Sequence, residues 1–436
     1  MRVRLPVCVL LVLTFCSLTA LVASSSAQSV PAASSPETDL ADFRLDEVQT
    51  KLAQMPAGPE RNYIAGLLAN HLGQDRRSID LLKRALPPLL AARDARASMA
   101  LKILADDYTK TLAYAAAAKA YDDLSAFFPE DAVGGIRDDA GVLHLLSKVQ
   151  PMTVDWHGST HLKVTRNAIG SKATKLMVNG IQEEWLLDTG ANYSVVSKSY
   201  ARRLGLTLLP GVAQTGSGLT GLESPLQAGI LPSIQVGGAT VHNVVVLVLD
   251  DKNLKIGFGD QSFQINAILG YPVFRAMQVI TFTRAGEFEA EESARREERG
   301  IPMYMRRLTP VVAFTINSVA LPFTLDTGAS ATELSVRYYD RFKDSDLSWK
   351  QEEEDSAGTG GNVRRRIYVQ PLVDLQAGDM AVILKDVSIA PTRTNSGLDE
   401  LYGNVGQDLF DEFESFTLDF ANMRFKLGPP ISPPAP

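Results

Sequence analysis

Two stretches of this chain repeat one another. LLDTGANYSVVS, starting at Leu186, returns as TLDTGASATELS, starting at Thr324, a displacement of 138. The copy extends upstream without a shift: Val178 corresponds to Ile316, Asn179 to Asn317, Leu187 to Leu325 and Asp188 to Asp326. In each copy an apolar run, a turn at the Asn and a second apolar run predict a hairpin that ends on an Asp-Thr-Gly-Ala turn. The copy extends downstream too. Ile268-Leu269-Gly270, Phe274 and QVITFT are matched by Asn404-Val405-Gly406, Leu409, Phe410 and SFTLDF at nearly the same displacement. A single Asp turn is weak information, because Asp commonly bonds its own backbone and Gly permits unusual φ. Two in equivalent places of a duplicated β unit say more: a pseudo-twofold axis relating the copies brings both carboxylates to one point.

The expected fold is a multidomain α and β chain. An N-terminal α-helical repeat region occupies 40–150, followed by an all-β, two-lobed part with pseudo-twofold symmetry, lobe 1 over 151–286 and lobe 2 over 302–428. A chain of 436 residues exceeds one ordinary core, and 45% apolar with 21% charged residues is the balance of a folded protein. Between Leu40 and Leu146 apolar residues recur at helical spacing, with Pro87-Pro88 and Pro129 read as breaks. Leu101, Leu104, Ala105 and Tyr108, then Ala117, Tyr121, Leu124 and Pro129, resemble a tetratricopeptide repeat; Gly66, Ser78, Leu82 and Ala85 form a weaker copy upstream. An irregular helical bundle is the alternative. The alternation of small and large residues implies a groove for a protein partner at these repeats. The charged EFEAEESARREERG falls in 287–301 and reads as a solvated linker, and 429–436 as a Pro-rich tail.

Residues 1–27 carry Arg2 and Arg4, an apolar stretch from 5 to 22, and then Ser25 and Ala27 at the positions a signal peptidase prefers. This reads as a signal peptide and places the mature chain outside the cell or in a periplasm; an uncleaved membrane anchor is the rival reading. Ser, Ala and Pro over 28–39 predict a disordered leader. Both cysteines, Cys8 and Cys16, lie in the first segment, so the mature chain has no disulfide and no cysteine metal site. Its formal charge of −7 becomes −9 without Arg2 and Arg4, and no basic stripe offers itself to nucleic acid. His157 and His161 lack a third ligand, so neither a metal nor another cofactor is expected. Ser, His and Asp occur without a nucleophile elbow.

The duplicated turns and the later apolar-apolar-Gly elements resemble the aspartic peptidases. The resemblance covers both lobes and implies the acid-protease fold, with one catalytic residue from each lobe: Asp188 and Asp326. It implies that Thr189 and Thr327 brace the turns across the axis and that Gly190 and Gly328 allow close backbone approach. Ala191 and Ala329, where pepsin usually has Ser or Thr, make the turns similar to those of the retroviral branch. Retroviral enzymes assemble from two identical chains; this one carries both halves, which implies action as a monomer on a peptide or protein substrate. The chemistry follows from proximity. Two carboxylates about 3 Å apart cannot both ionise, so they share one proton.

QTGSGLTGLESPL, with Gly216, Gly218 and Gly221, is the candidate flap of lobe 1; DSAGTGGNVRRRIYV, with Gly358, Gly360 and Gly361, is its counterpart in lobe 2. Ordinary surface loops are the alternative. Arg364, Arg365 and Arg366 read as a solvated edge, or as a selector for acidic substrate side chains. Two departures stand out. Asn404 replaces an aliphatic residue, implying looser packing in lobe 2, and lobe 1 has no clear equivalent of pepsin's flap tyrosine. The implied function is an aspartic endopeptidase. The alternatives are a weak or inactive peptide-binding module of the same fold, and a repeat-based scaffold.

Overall fold

The computed structural model describes residues 34–216, 223–258, 261–293, 299–344, 348–358, 361–393 and 397–431. Helices come first: α1 (Pro36–Ala41), α2 (Leu45–Gln54), α3 (Pro59–His71), α4 (Asp75–Ala91), α5 (Arg96–Lys110), α6 (Tyr114–Phe127) and α7 (Gly135–Leu146). After α1, α3, α4 and α5 the chain takes positive φ at Phe43, Gly73, Arg93 and Leu112. The next N–H then reaches back five residues, Arg44 to Asp39, Gln74 to Ala69, Asp94 to Leu89 and Ala113 to Tyr108, at 2.8 to 2.9 Å. This stop motif satisfies the last carbonyls and reverses the chain, so successive helices become neighbours. Gly66 of α3 lies against Leu82 of α4, where a Cβ would come within 2.6 Å.

Three readings of the sequence need correction. The leader expected over 28–39 ends earlier, since α1 starts at Pro36; Asp39 is fully buried and pairs with Arg44 at 2.5 Å and with Lys51. Pro87 and Pro88 do not break α4. The carbonyls they leave without an N–H belong to Lys83 and Arg84, on the exposed face, where water can serve them, while Leu82, Ala85 and Leu89 stay buried on the other face. The stretch 287–301 is not a plain linker either. Glu287–Glu291 is a strand whose Phe288 and Ala290 point inward between outward glutamates, a two-residue period hidden by the charge count.

After the helices the chain is β-rich. Lys172–Val178 pairs antiparallel with Ile181–Leu187, which pairs parallel with Ala267–Leu269. That strand is antiparallel to Ser194–Ser197, which runs parallel to Ala239–Leu249, and the antiparallel strands Glu223–Val236 and Ala213–Gly216 follow. The second copy has the same order and the same senses. Thr309–Ile316 and Val319–Leu325 are followed by Gly403–Val405, Glu333–Leu334, Met380–Ile389, Gly361–Ala377 and Lys350–Gly358. A further set of strands joins the copies, with Val279–Thr283 antiparallel to Ser415–Asp419 at its centre. Trp185, Phe274, Phe282, Phe314, Phe323, Phe410 and Phe425 fill the core beneath.

The helices share apolar packing with the first copy. Leu143 and Leu146 of α7 belong to one cluster with Ala213, Leu226, Ala228 and Leu247, and Gly141 faces Ala213. A border at residue 150 therefore cuts through a common core.

Candidate active site

Each Asp turn begins where an apolar strand ends. Leu187 and Leu325 are fully buried, and the following N–H groups of Asp188 and Asp326 donate to Leu269 O (3.1 Å) and Val405 O (3.0 Å). The central short strand thus fixes the point at which each chain turns. Within the turns, Gly190 and Ala191 N–H donate to Asp188 Oδ1 at 2.9 and 3.0 Å; Gly328 and Ala329 N–H donate to Asp326 Oδ1 at 2.8 and 3.1 Å. One oxygen of each carboxylate, Oδ1, is thus held by the backbone of its own turn.

The turns then bind each other. Thr189 N–H donates to Thr327 Oγ1 (3.0 Å), and Thr327 N–H donates to Thr189 Oγ1 (3.1 Å). Each hydroxyl spends its own proton on the opposite strand, Thr189 on Leu325 O (3.0 Å) and Thr327 on Leu187 O (2.6 Å). Both threonines are fully buried, so all four bonds are made away from water. This brings the two carboxylates face to face. A Cβ on Gly190 would lie 2.6 Å from Asp326 Cγ, and one on Gly328 would lie 2.5 Å from Asp188 Cγ. Only glycine admits the opposing carboxylate at that range.

Both Asp188 and Asp326 remain partly exposed. Burial, the negative charge of Asp326 and a hydrogen bond to it push the Asp188 carboxyl well above the ordinary carboxylate range, against the pull of the Gly190 and Ala191 N–H groups. Such a pair holds one proton and one charge, an arrangement suited to activating water on one side and a carbonyl on the other.

The glycines of the apolar-apolar-Gly elements lock the turns from behind. Gly270 N–H donates to Ser194 Oγ and Gly406 N–H to Thr332 Oγ1, both at 3.1 Å, while Gln407 Nε2 donates to Thr327 O at 3.1 Å. Asn404 has a different role from the one its sequence position suggests. Its Nδ2 donates to Asp326 Oδ2 at 2.9 Å, and its Oδ1 accepts from the Thr324 hydroxyl. The residue is not a packing fault but a member of the site. Its signal in the sequence was paired polarity, since Thr324 and Asn404 stand where the first copy has Leu186 and Ile268.

Of the flap candidates, Gly216 ends a strand paired with Glu223, and Gly358 pairs with Gly361 at the end of an antiparallel hairpin. Gly218, Gly221 and Gly360 lie outside the described residues. Arg364 pairs with Glu353, and Arg365 with Glu333 and Glu354. A cavity lined by Lys110, Tyr114, Trp156, Tyr271 and Arg275 lies where helices meet strands, and neither Asp188 nor Asp326 lines it. It has no part in chemistry that needs both carboxylates.

A family model described as aspartyl protease matches residues 174–273, which include the first Asp turn and Ile268-Leu269-Gly270. No curated protein matches the chain in sequence. Solved structures similar to it include basic 7S globulin from soybean, 11% identical over 64% of this chain and 95% of that one, with a TM-score of 0.39. Conglutin gamma, a basic 7S globulin from lupine seeds, is 12% identical over 62% and 94%, with a TM-score of 0.38.

Proposed function

We propose that this chain is a single-chain aspartic endopeptidase of retroviral type, its two lobes related by a pseudo-twofold axis that passes between Asp188 and Asp326. The observation that carries the reading is the reciprocal bonding of Thr189 and Thr327, which places two partly exposed carboxylates against each other. Strand pairing supports the axis: Thr281 faces Thr417, its own counterpart, with the hydroxyls 2.8 Å apart, while Ile280 faces Leu418 and Phe282 faces Phe416. In the reaction one carboxylate takes a proton from water as the oxygen attacks the scissile carbonyl carbon. The other, protonated, donates to the carbonyl oxygen. Collapse of the diol breaks the C–N bond, returns that proton to its carboxylate and passes the water-derived proton to the leaving nitrogen.

The substrate on this reading is a peptide or protein, the working form a monomer, and the site one without a cofactor. Residues 1–27 direct the chain out of the cytoplasm, and the helices offer a surface for a protein partner. Incubation with a diverse peptide library, with and without an inhibitor whose hydroxyl replaces the attacking water, tests the proposal. Asp188→Asn and Asp326→Asn should each abolish cleavage with the fold intact, and the double variant should be little worse than either. Cleavage surviving in either single variant overturns the mechanism.

A further inference from the structure

The two halves of the dyad are built alike except in one place. Asp188 accepts two backbone N–H groups, both on Oδ1. Asp326 accepts the equivalent two on Oδ1 and a third donor, Asn404 Nδ2, on Oδ2. The difference goes deeper than one side chain. In the first copy Ile268 lies between Leu186 and Val195; in the second Asn404 lies between Thr324 and Glu333, at the same register. Three apolar positions have become three polar ones, and Thr324 orients the amide by donating to its oxygen.

We infer that Asn404 makes the dyad unequal, holding the pair's single negative charge on Asp326 and leaving the shared proton on Asp188. A carboxylate with donors on both oxygens is favoured in its charged form, and among the described residues no such donor reaches Asp188 Oδ2. The inference rests on the peptidase reading and assigns its roles: Asp326 receives the proton from water, and Asp188 donates to the scissile carbonyl. Asn404 is a positioning residue, acting on the proton through Asp326. Alanine at position 329 removes the hydroxyl that pepsin-like turns offer to this oxygen, and Asn404 supplies the donor from another strand, on one side of the pair only.

Other charges on elements packed around the dyad have partners of their own. Glu333 and Glu354 are met by Arg365, Asp411 by Arg166 and Lys172, and Arg275 by Asp75 and the Tyr271 hydroxyl; Asp408 accepts from Thr332. Tyr193, in the turn after Asp188, is held neutral by burial. Asn404 is a member of none of these ion pairs and hydrogen bonds.

The test gives the second copy the residues of the first at the two positions that form the amide's bonds: Asn404→Ile together with Thr324→Leu. In the pH profile of kcat/KM, the acid limb should rise by about one unit, so that cleavage one unit below the wild-type midpoint falls several-fold, while the optimum survives. An unmoved limb overturns the inference. A limb moved towards acid overturns it too, since the amide would then stand reversed with its oxygen on a protonated Asp326. A second measurement does not depend on cleavage or on that variant folding. Carbon-13 carboxyl NMR of Asp188→Asn and Asp326→Asn follows one dyad carboxyl at a time, and the one left in Asp188→Asn should titrate about one unit lower. Equal midpoints refute the role of Asn404 even in an active peptidase. Unequal midpoints in a protein that cleaves nothing preserve it and remove the peptidase reading instead.

Discussion

Thr189→Val keeps the shape of the side chain and removes one oxygen. That oxygen accepts from Thr327 N–H at 3.1 Å and donates to Leu325 O at 3.0 Å, in a place with no exposure. Valine therefore strands a buried donor and a buried acceptor at once. Each costs about 1–3 kcal/mol, so the variant should lose roughly 2–6 kcal/mol, the upper end applying if no water enters. Thr189→Ser retains the oxygen and should lose far less, chiefly a methyl group's contacts, about 1 kcal/mol. Urea unfolding followed by tryptophan fluorescence measures both, with Trp185 fully buried in the strand that leads into Asp188. Thr327→Val removes the other two bonds, those from Thr189 N–H and to Leu187 O, so the single variants break no bond in common and any departure of the double variant from their sum measures coupling between the turns. The Val variant should also lose cleavage, as the turns are no longer held together. A Val variant whose stability lies within about 0.5 kcal/mol of the parent, the range of an ordinary surface substitution, would refute the view that buried hydrogen bonds between the threonines hold the dyad. So would one that separates from Ser only in activity.

Three further outcomes are expected. Asp188→Asn should stabilise the protein at neutral pH: the native carboxyl titrates above its unfolded value, so the native state binds more protons between the two and stability falls as pH rises through that window; urea midpoints at pH 7 and pH 4 should show an advantage for the variant that shrinks at the lower pH. Ala191→Ser adds a donor beside Asp188, whose Oδ2 has no donor among the described residues, and should shift the pH optimum of cleavage towards acid more than Ala329→Ser does, since Asn404 already covers Asp326 Oδ2. Deleting residues 36–150 should cause aggregation or loss of cooperative unfolding of the strands, because Ala213, Leu226 and Leu247 lose the cover of Leu143 and Leu146; size-exclusion chromatography would detect it, and a soluble, cooperatively folding remainder would contradict the shared core.

The Asp turns were legible because their requirements are local. An oxygen that must accept two N–H groups within three residues and a position that cannot carry a Cβ are written in four consecutive letters, and a duplication preserves them at one displacement. The order of strands was partly legible for the same reason, since hairpin turns and apolar runs are short-range features. Other features depended on distant partners. The strand Glu287–Glu291 exists because strands on either side offer pairing edges to its alternating pattern, with Phe288 and Ala290 turned into the core. Pro87 and Pro88 stay helical because the fold leaves their side of α4 in water. Asn404 looked like a defect in an apolar element until the tertiary structure set it beside a carboxylate 78 residues earlier in the chain, with Thr324 orienting its amide. A sequence states what each short segment can bond, and only the folded chain decides which of those bonds is offered a partner.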